Sequence, residues 1–189
     1  MTYVLAALAI LAVAYLLRRK RKPPASGWQF DRWTQGVTLR TVNGLPAFDF
    51  PTQGRGVGYL QCRKPPKLGG AITVRFLVEG GPFVAQEFPD RQATVTLVIQ
   101  RKGDDWQATE ATRAHRWYSR QVVPLEAGEH VLSVPLDVSH WGDVMGGQDP
   151  AAFAAALRDV DNIALAFGSA GGRGHGVCGA GRFELLSIK

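Results

Sequence analysis

Apolar runs of strand length recur from residue 28 onward, each closed by glycine, proline or a polar pair, and they leave little room for helices. The pattern is cleanest at 71–79, where Ile72, Val74, Phe76 and Val78 alternate with Thr73, Arg75 and Leu77. That is the period of a strand with one buried face. Residues 93–100 (ATVTLVIQ) are rich in β-branched side chains and nearly unbroken, as in a central strand. Further runs occupy 28–34, 37–42, 47–50, 57–62, 116–123, 130–136, 162–167 and 182–188. Glycine (22) and proline (11) are frequent enough to end each run in a turn. One helix is expected after residue 28: Asp149 suits an N-cap, Pro150 the first helical position, and 151–157 carry the turns. Roughly nine or ten strands with a single short helix describe an all-β domain, a two-sheet jelly-roll sandwich.

The first 27 residues read differently. The run 3–17 (YVLAALAILAVAYLL) has no charge, glycine or proline, and Tyr3 and Tyr15 lie near its ends. Alanine and leucine propagate a helix, and the length is only slightly short of a hydrocarbon core of about 30 Å. A cleaved signal peptide needs a basic segment before its apolar core, and nothing basic precedes Tyr3. The reading is a transmembrane anchor at 1–17, a basic and proline-rich linker at 18–27, and one domain at 28–189. Arg18, Arg19, Lys20, Arg21 and Lys22 flank the apolar run and account for most of the formal charge of +6. Without them the chain is close to neutral, so a nucleic-acid partner is not expected. Basic residues are retained on the cytoplasmic side, which predicts a single-pass protein of a bacterial inner membrane with its C-terminal domain in the cytoplasm.

Residues 134–188 carry a recognisable order: a strand ending in Val134-Pro135-Leu136-Asp137, a loop around Trp141, and a helix through Phe153 and Leu157. A strand with Ile163, Leu165 and Phe167 follows, then a glycine-rich segment, then a last strand from Phe183 to Ile188. This order resembles the galactose-binding-like jelly rolls, which include many carbohydrate-binding modules. Gln100-Arg101-Lys102-Gly103-Asp104-Asp105-Trp106, Arg116-Trp117-Tyr118 and Gly174-His175-Gly176-Val177 also look like a group of uncharacterised bacterial membrane-anchored proteins. The resemblance implies a fold. Ligand residues of such folds sit in variable loops, so it transfers no site.

Candidate ligand-binding residues come from two segments. Trp106, Trp117 and Tyr118 stand near Asp104, Asp105 and Arg116. Flat rings beside hydrogen-bonding groups suit sugars, whose C–H faces stack while their hydroxyls pair. The competing reading puts Trp117 in the core and uses Asp104 and Asp105 to cap a hairpin loop. The second segment, 171–179, sets His175 among glycines that allow close backbone approach, or simply connects two strands. The four histidines show no ligand spacing, so no metal site is expected. Asp137, Asp143 and Asp149 are the side chains a structural calcium ion would draw on, but calcium needs about six to eight oxygens. Cys62 and Cys178 leave both a disulfide and two free thiols open.

There is no GxSxG elbow, Walker loop or Rossmann fingerprint, which weighs against an enzyme. The leading expectation is a non-catalytic binding or scaffolding domain, tethered to a bilayer and contacting a membrane protein or complex. The alternative is a carbohydrate-binding module, with a glycan partner, in the periplasm or at the cell surface.

Overall fold

The computed structural model describes residues 27–189. The anchor expected at 1–17 and the basic block at 18–22 lie outside the described residues. Among those described, no helix is long and apolar enough to cross a membrane.

Two antiparallel sheets pack face to face. The six-stranded sheet has the order β1 (Trp28–Phe30), β4 (Tyr59–Cys62), β10 (Val160–Gly168), β6 (Thr94–Arg101), β7 (Arg116–Pro124) and β9 (Trp141–Asp143). The five-stranded sheet has the order β2 (Arg40–Val42), β3 (Leu45–Asp49), β11 (Val177–Ile188), β5 (Ala71–Ala85) and β8 (Gly128–Pro135). The expected all-β sandwich with one short helix is therefore what residues 27–189 build, and β6 is indeed an interior strand. Between the sheets lies an aromatic core. Phe48 stacks on Phe183 at 5.3 Å and meets Phe167 edge-on at 5.6 Å, a favoured ring geometry. Helix α1 (Pro150–Arg158) closes one end, its first turn capped by the Asp149 carboxylate, which accepts from the Ala151 and Ala152 N–H groups at 2.8 and 3.1 Å. Its Phe153 packs on Trp117 and Trp141.

Three boundaries differ from the sequence reading, each for a local reason. Strand β1 stops at Phe30 because the Asp31 carboxylate accepts from the N–H groups of Trp33 (3.1 Å) and Thr34 (2.7 Å), turning the chain away. Strand β5 continues past Glu79 to Ala85, since Gly80 stays paired with Gly181 and Gly81 and Pro82 bulge opposite Ala180 without ending the strand. The β2–β3 hairpin turns on Asn43 and Gly44 at φ of 51° and 83°, so the run expected at 37–42 ends in an Asn-Gly turn and β3 starts at Leu45. Cys62 and Cys178 sit on different sheets as free thiols.

Period-two alternation in the six-stranded sheet decides what faces outward. Leu60, Leu97, Ile99, Trp117, Ile163 and Leu165 enter the core. Tyr59, Val98, Tyr118, Ala164 and Ala166 point the other way, yet they too are buried, in a second cluster with Trp106 against it. Loops therefore fold over the outer face of this sheet.

Candidate functional site

Six loops make that cover, with Gln86 from the β5–β6 loop and Val144 from the β9–α1 loop among them. The β1–β2 loop brings Asp31 and Trp33, the β3–β4 loop Arg55, the β6–β7 loop Trp106, and the β10–β11 loop Arg173, Gly174 and His175. Together with Tyr59, Arg116 and Tyr118 from the sheet, they surround a pocket of about 410 Å³. That volume lies in the range of small-molecule sites, and a mixed aromatic and polar lining is typical of them.

The floor is a continuous hydrogen-bond network. The Gln61 amide donates to Gln100 (3.1 Å), and the Gln100 amide donates to Asp104 (2.6 Å). Asp104 accepts a two-pronged pair from Arg116, Nε to Oδ2 at 2.9 Å and Nη2 to Oδ1 at 3.1 Å. Arg116 Nη1 donates to the Tyr118 hydroxyl (3.4 Å), which shares a hydrogen bond with the Tyr59 hydroxyl (2.7 Å). Burial would push the Asp104 carboxyl upward, but the Arg116 fork and Gln100 hold it below the usual range. Burial likewise penalises the Arg116 charge, and the same fork more than offsets it, raising the guanidinium above its ordinary value. Tyr59 is pushed well up by burial and by Tyr118, so it stays a neutral phenol.

Trp106 is the hinge of the arrangement. Its φ is +69°, a left-handed value that costs a bulky residue of order 1–3 kcal/mol. The conformation is held in place by the Asp104 Oδ1, which accepts the Trp106 N–H at 3.1 Å. The ring then takes the Arg116 guanidinium over its face at 4.6 Å and meets Tyr59 and Trp33 edge-on, each at 4.9 Å. Trp33 and Trp106 are nearly perpendicular (88°), so two indoles form a corner of the pocket.

Asp31 forms the opposite wall. It is 7% exposed, its Oδ1 is spent on the loop turn, and Oδ2 has no donor among the described residues. Burial raises its carboxyl, against the opposing pull of the Thr34 and Trp33 N–H groups. A Cβ added to Gly58 would lie 2.8 Å from both Asp31 Oδ2 and the Gly174 carbonyl oxygen, so only glycine fits between these elements. Gly174 itself, at φ +77°, leaves the space that the Tyr59 ring fills.

Of the seven candidate ligand residues, Trp106, Tyr118, Arg116 and His175 line the pocket, the last at its rim paired with Glu87 at 3.0 Å. Asp104 lies beneath, positioning Arg116. Asp105 is exposed and accepts only the Gln107 N–H in its own turn. Trp117 must be removed from the set. As the residue between Arg116 and Tyr118 it points to the opposite face, fully buried, with Nε1 donating to the Ala114 carbonyl at 2.9 Å. Arg173 lies inside the 171–179 segment that the sequence singles out through His175, but Asp31, Trp33, Tyr59 and Arg55 are not among the sequence candidates. The one signal for them is an aspartate and a tryptophan two residues apart at the end of a run. The three aspartates considered for calcium have separate tasks: Asp137 accepts from the Ser139 N–H, Asp143 from Arg113 and a loop, and Asp149 caps α1. Among the described residues no three His, Cys, Asp or Glu side chains gather at one point.

No protein-family model and no curated protein sequence matches the chain. Among solved structures it is similar to a family 29 carbohydrate-binding module, at TM-score 0.40 and 16% identity over 86% of this chain and 76% of that one. Variants of such a module complexed with mannohexaose and with cellulohexaose give TM-scores of 0.39 at 16% identity. These cover 86% of this chain and 79% and 78% of theirs. At that level of similarity the ligand of this chain has to be read from its own pocket.

Proposed function

We propose that the domain binds glycans without cleaving them, with the pocket over the six-stranded sheet as the site. The observation that carries this reading is the corner made by Trp33 and Trp106 directly above fixed polar groups of Arg116, Tyr118 and Tyr59. Indole faces stack on the C–H surface of a sugar ring, and pre-oriented polar groups pair with its hydroxyls without paying to be ordered. Scaffolding at a membrane would call for an exposed apolar patch. Among the described residues the large exposed hydrophobics are single residues, Val84, Val131 and Met145, on separate elements.

Binding is favoured over hydrolysis because glycosidic cleavage generally uses two carboxyl groups flanking the bond. Asp31 is the carboxylate among the pocket residues, while Asp104 is committed to Arg116. A glycan ligand also favours placement of the domain outside the cytoplasm, opposite to the orientation expected from the basic block.

The test is a glycan panel against the 189-residue chain in mild detergent, with isothermal titration of any hit. Trp106→Ala is expected to weaken binding by about 10-fold or more, the loss of a stacking anchor. Binding unchanged by Trp106→Ala and by Trp33→Ala would refute the site.

A further inference from the structure

We propose that the glycan taken by this pocket carries a carboxylate, as a uronic acid does, and that Arg173 and Arg55 receive it. The inference rests on the glycan reading above and adds the charge of the ligand. Charge accounting leads to it. Three arginines line the pocket, and Arg116 is already neutralised by the Asp104 fork. Neither Arg173 nor Arg55 forms an ion pair with any described residue, although nine pairs of lysine or arginine with a carboxylate occur among those residues.

Arg173 is the more telling of the two. Its side chain is half-buried, lies 6.0 Å over the Tyr118 ring, and has a buried Nε with no acceptor. Leaving a buried guanidinium N–H unpaired is costly, and a bound acceptor removes that cost. Burial pulls the Arg173 guanidinium below its ordinary value, with Arg120 adding repulsion, as expected of a cation waiting for a counter-charge. Arg120 is engaged elsewhere, donating to Gln148 at 2.9 Å. Arg55 sits exposed at the mouth, where it attracts an anion before the anion is desolvated.

The kind of anion follows from the same accounting. Asp31 supplies one negative charge to the pocket, so two free guanidinium groups leave capacity for about one more. A carboxylate meets that, and its two oxygens match the planar fork of an arginine. A phosphate at about −1.5 to −2 exceeds it, against Asp31 as well. The sugar ring then lies against the indole corner, with its acidic substituent toward the β10–β11 loop.

The experiment compares matched ligands on the 189-residue chain in mild detergent. Oligogalacturonides are titrated beside their methyl esters, neutral galactose oligomers and a sulfated galactan. Tighter binding of the free acid than of the ester, by roughly 10- to 100-fold, is expected for one charged hydrogen-bonded pair. Arg173→Gln should erase that preference, bringing the free acid's affinity down to that of the ester on the same variant, with the melting temperature as a check on folding. Arg55→Gln, at an exposed position, should reduce the preference in part and slow association. Equal binding of acid and ester, abolished by Trp106→Ala, would overturn the carboxylate and leave the glycan site standing. Stronger binding of the sulfated galactan would overturn it too. Failure of every glycan to bind would overturn the glycan reading and this inference with it.

Discussion

Asp104→Ala tests whether the pocket floor also stabilises the domain. The Asp104 and Arg116 side chains are 3% and 7% exposed, and their two-pronged contact is closed at both oxygens. Removing the carboxylate leaves a guanidinium that cannot lose its proton and, at 7% exposure, is poorly hydrated. It also strips the acceptor from the Gln100 amide and from the Trp106 N–H. Breaking a buried pair from one side costs about 3–5 kcal/mol. At about 2–4 °C per kcal/mol for a domain of this size, the melting temperature should fall by roughly 6–20 °C. Against a total stability of about 5–15 kcal/mol, that is a large share.

The control is the double variant Asp104→Ala, Arg116→Met, which takes away the stranded charge and keeps the stem's volume. It should be more stable than Asp104→Ala alone, as expected when the stranded charge carries most of the loss. Thermal unfolding followed by tryptophan fluorescence measures both. The sign of the pH dependence is fixed as well. Because the folded-state pKa of Asp104 is lowered, its contribution is present above the unfolded value near 3.9 and is lost as pH falls through the folded value. The gap between wild type and Asp104→Ala should therefore narrow in acid. A cost under about 1 kcal/mol, or a double variant no better than the single, would refute the reasoning.

Other consequences are simpler to state. Trp106→Gly should be more stable than Trp106→Ala by about 1 kcal/mol, the reverse of the usual order, because glycine takes φ +69° without strain. Thermal melts decide it, and both variants should lose glycan binding. Asp31→Asn keeps the acceptor for the Trp33 and Thr34 N–H groups and removes a buried charge. Since the folded-state pKa of Asp31 is raised, the stability it contributes is present below about 3.9 and lost as pH rises through the folded value. The asparagine variant should therefore melt higher than wild type at neutral pH, an advantage that shrinks in acid. Trp117→Ala should cost about 3–5 kcal/mol as a core truncation. Its binding per folded molecule, titrated well below its melting temperature, should stay intact.

The sandwich was legible because strand alternation is local. Ile72, Val74, Phe76 and Val78 announce their own buried face, and all four are essentially inaccessible. Asp149 and Pro150 announce the helix for the same reason. The pocket was only half legible. Trp106, Arg116 and Tyr118 drew attention by lying close together, whereas Asp31, Trp33, Tyr59 and Arg173 come from segments up to 142 residues apart that only sheet pairing unites. No local period encodes that β4 lies beside β10. The unpaired state of Arg173 is less visible still, since it depends on which carboxylates the fold sends elsewhere.

Arg116, Trp117 and Tyr118 show how closely site and core are joined. Three consecutive residues alternate across β7, so Trp117 anchors the sandwich while its neighbours form the pocket floor. Trp117 packs on Phe153 of α1, and Arg116 holds Trp106 through Asp104 and its own guanidinium face. The rigid elements thus fix the polar groups, and the strained loop presents the indole to them. A one-residue slip of β7 would send Tyr118 into the core and Trp117 into the pocket, stranding the Arg116 charge in the aromatic interior. The buried pair that prepares the pocket is therefore also a strong penalty against the wrong register.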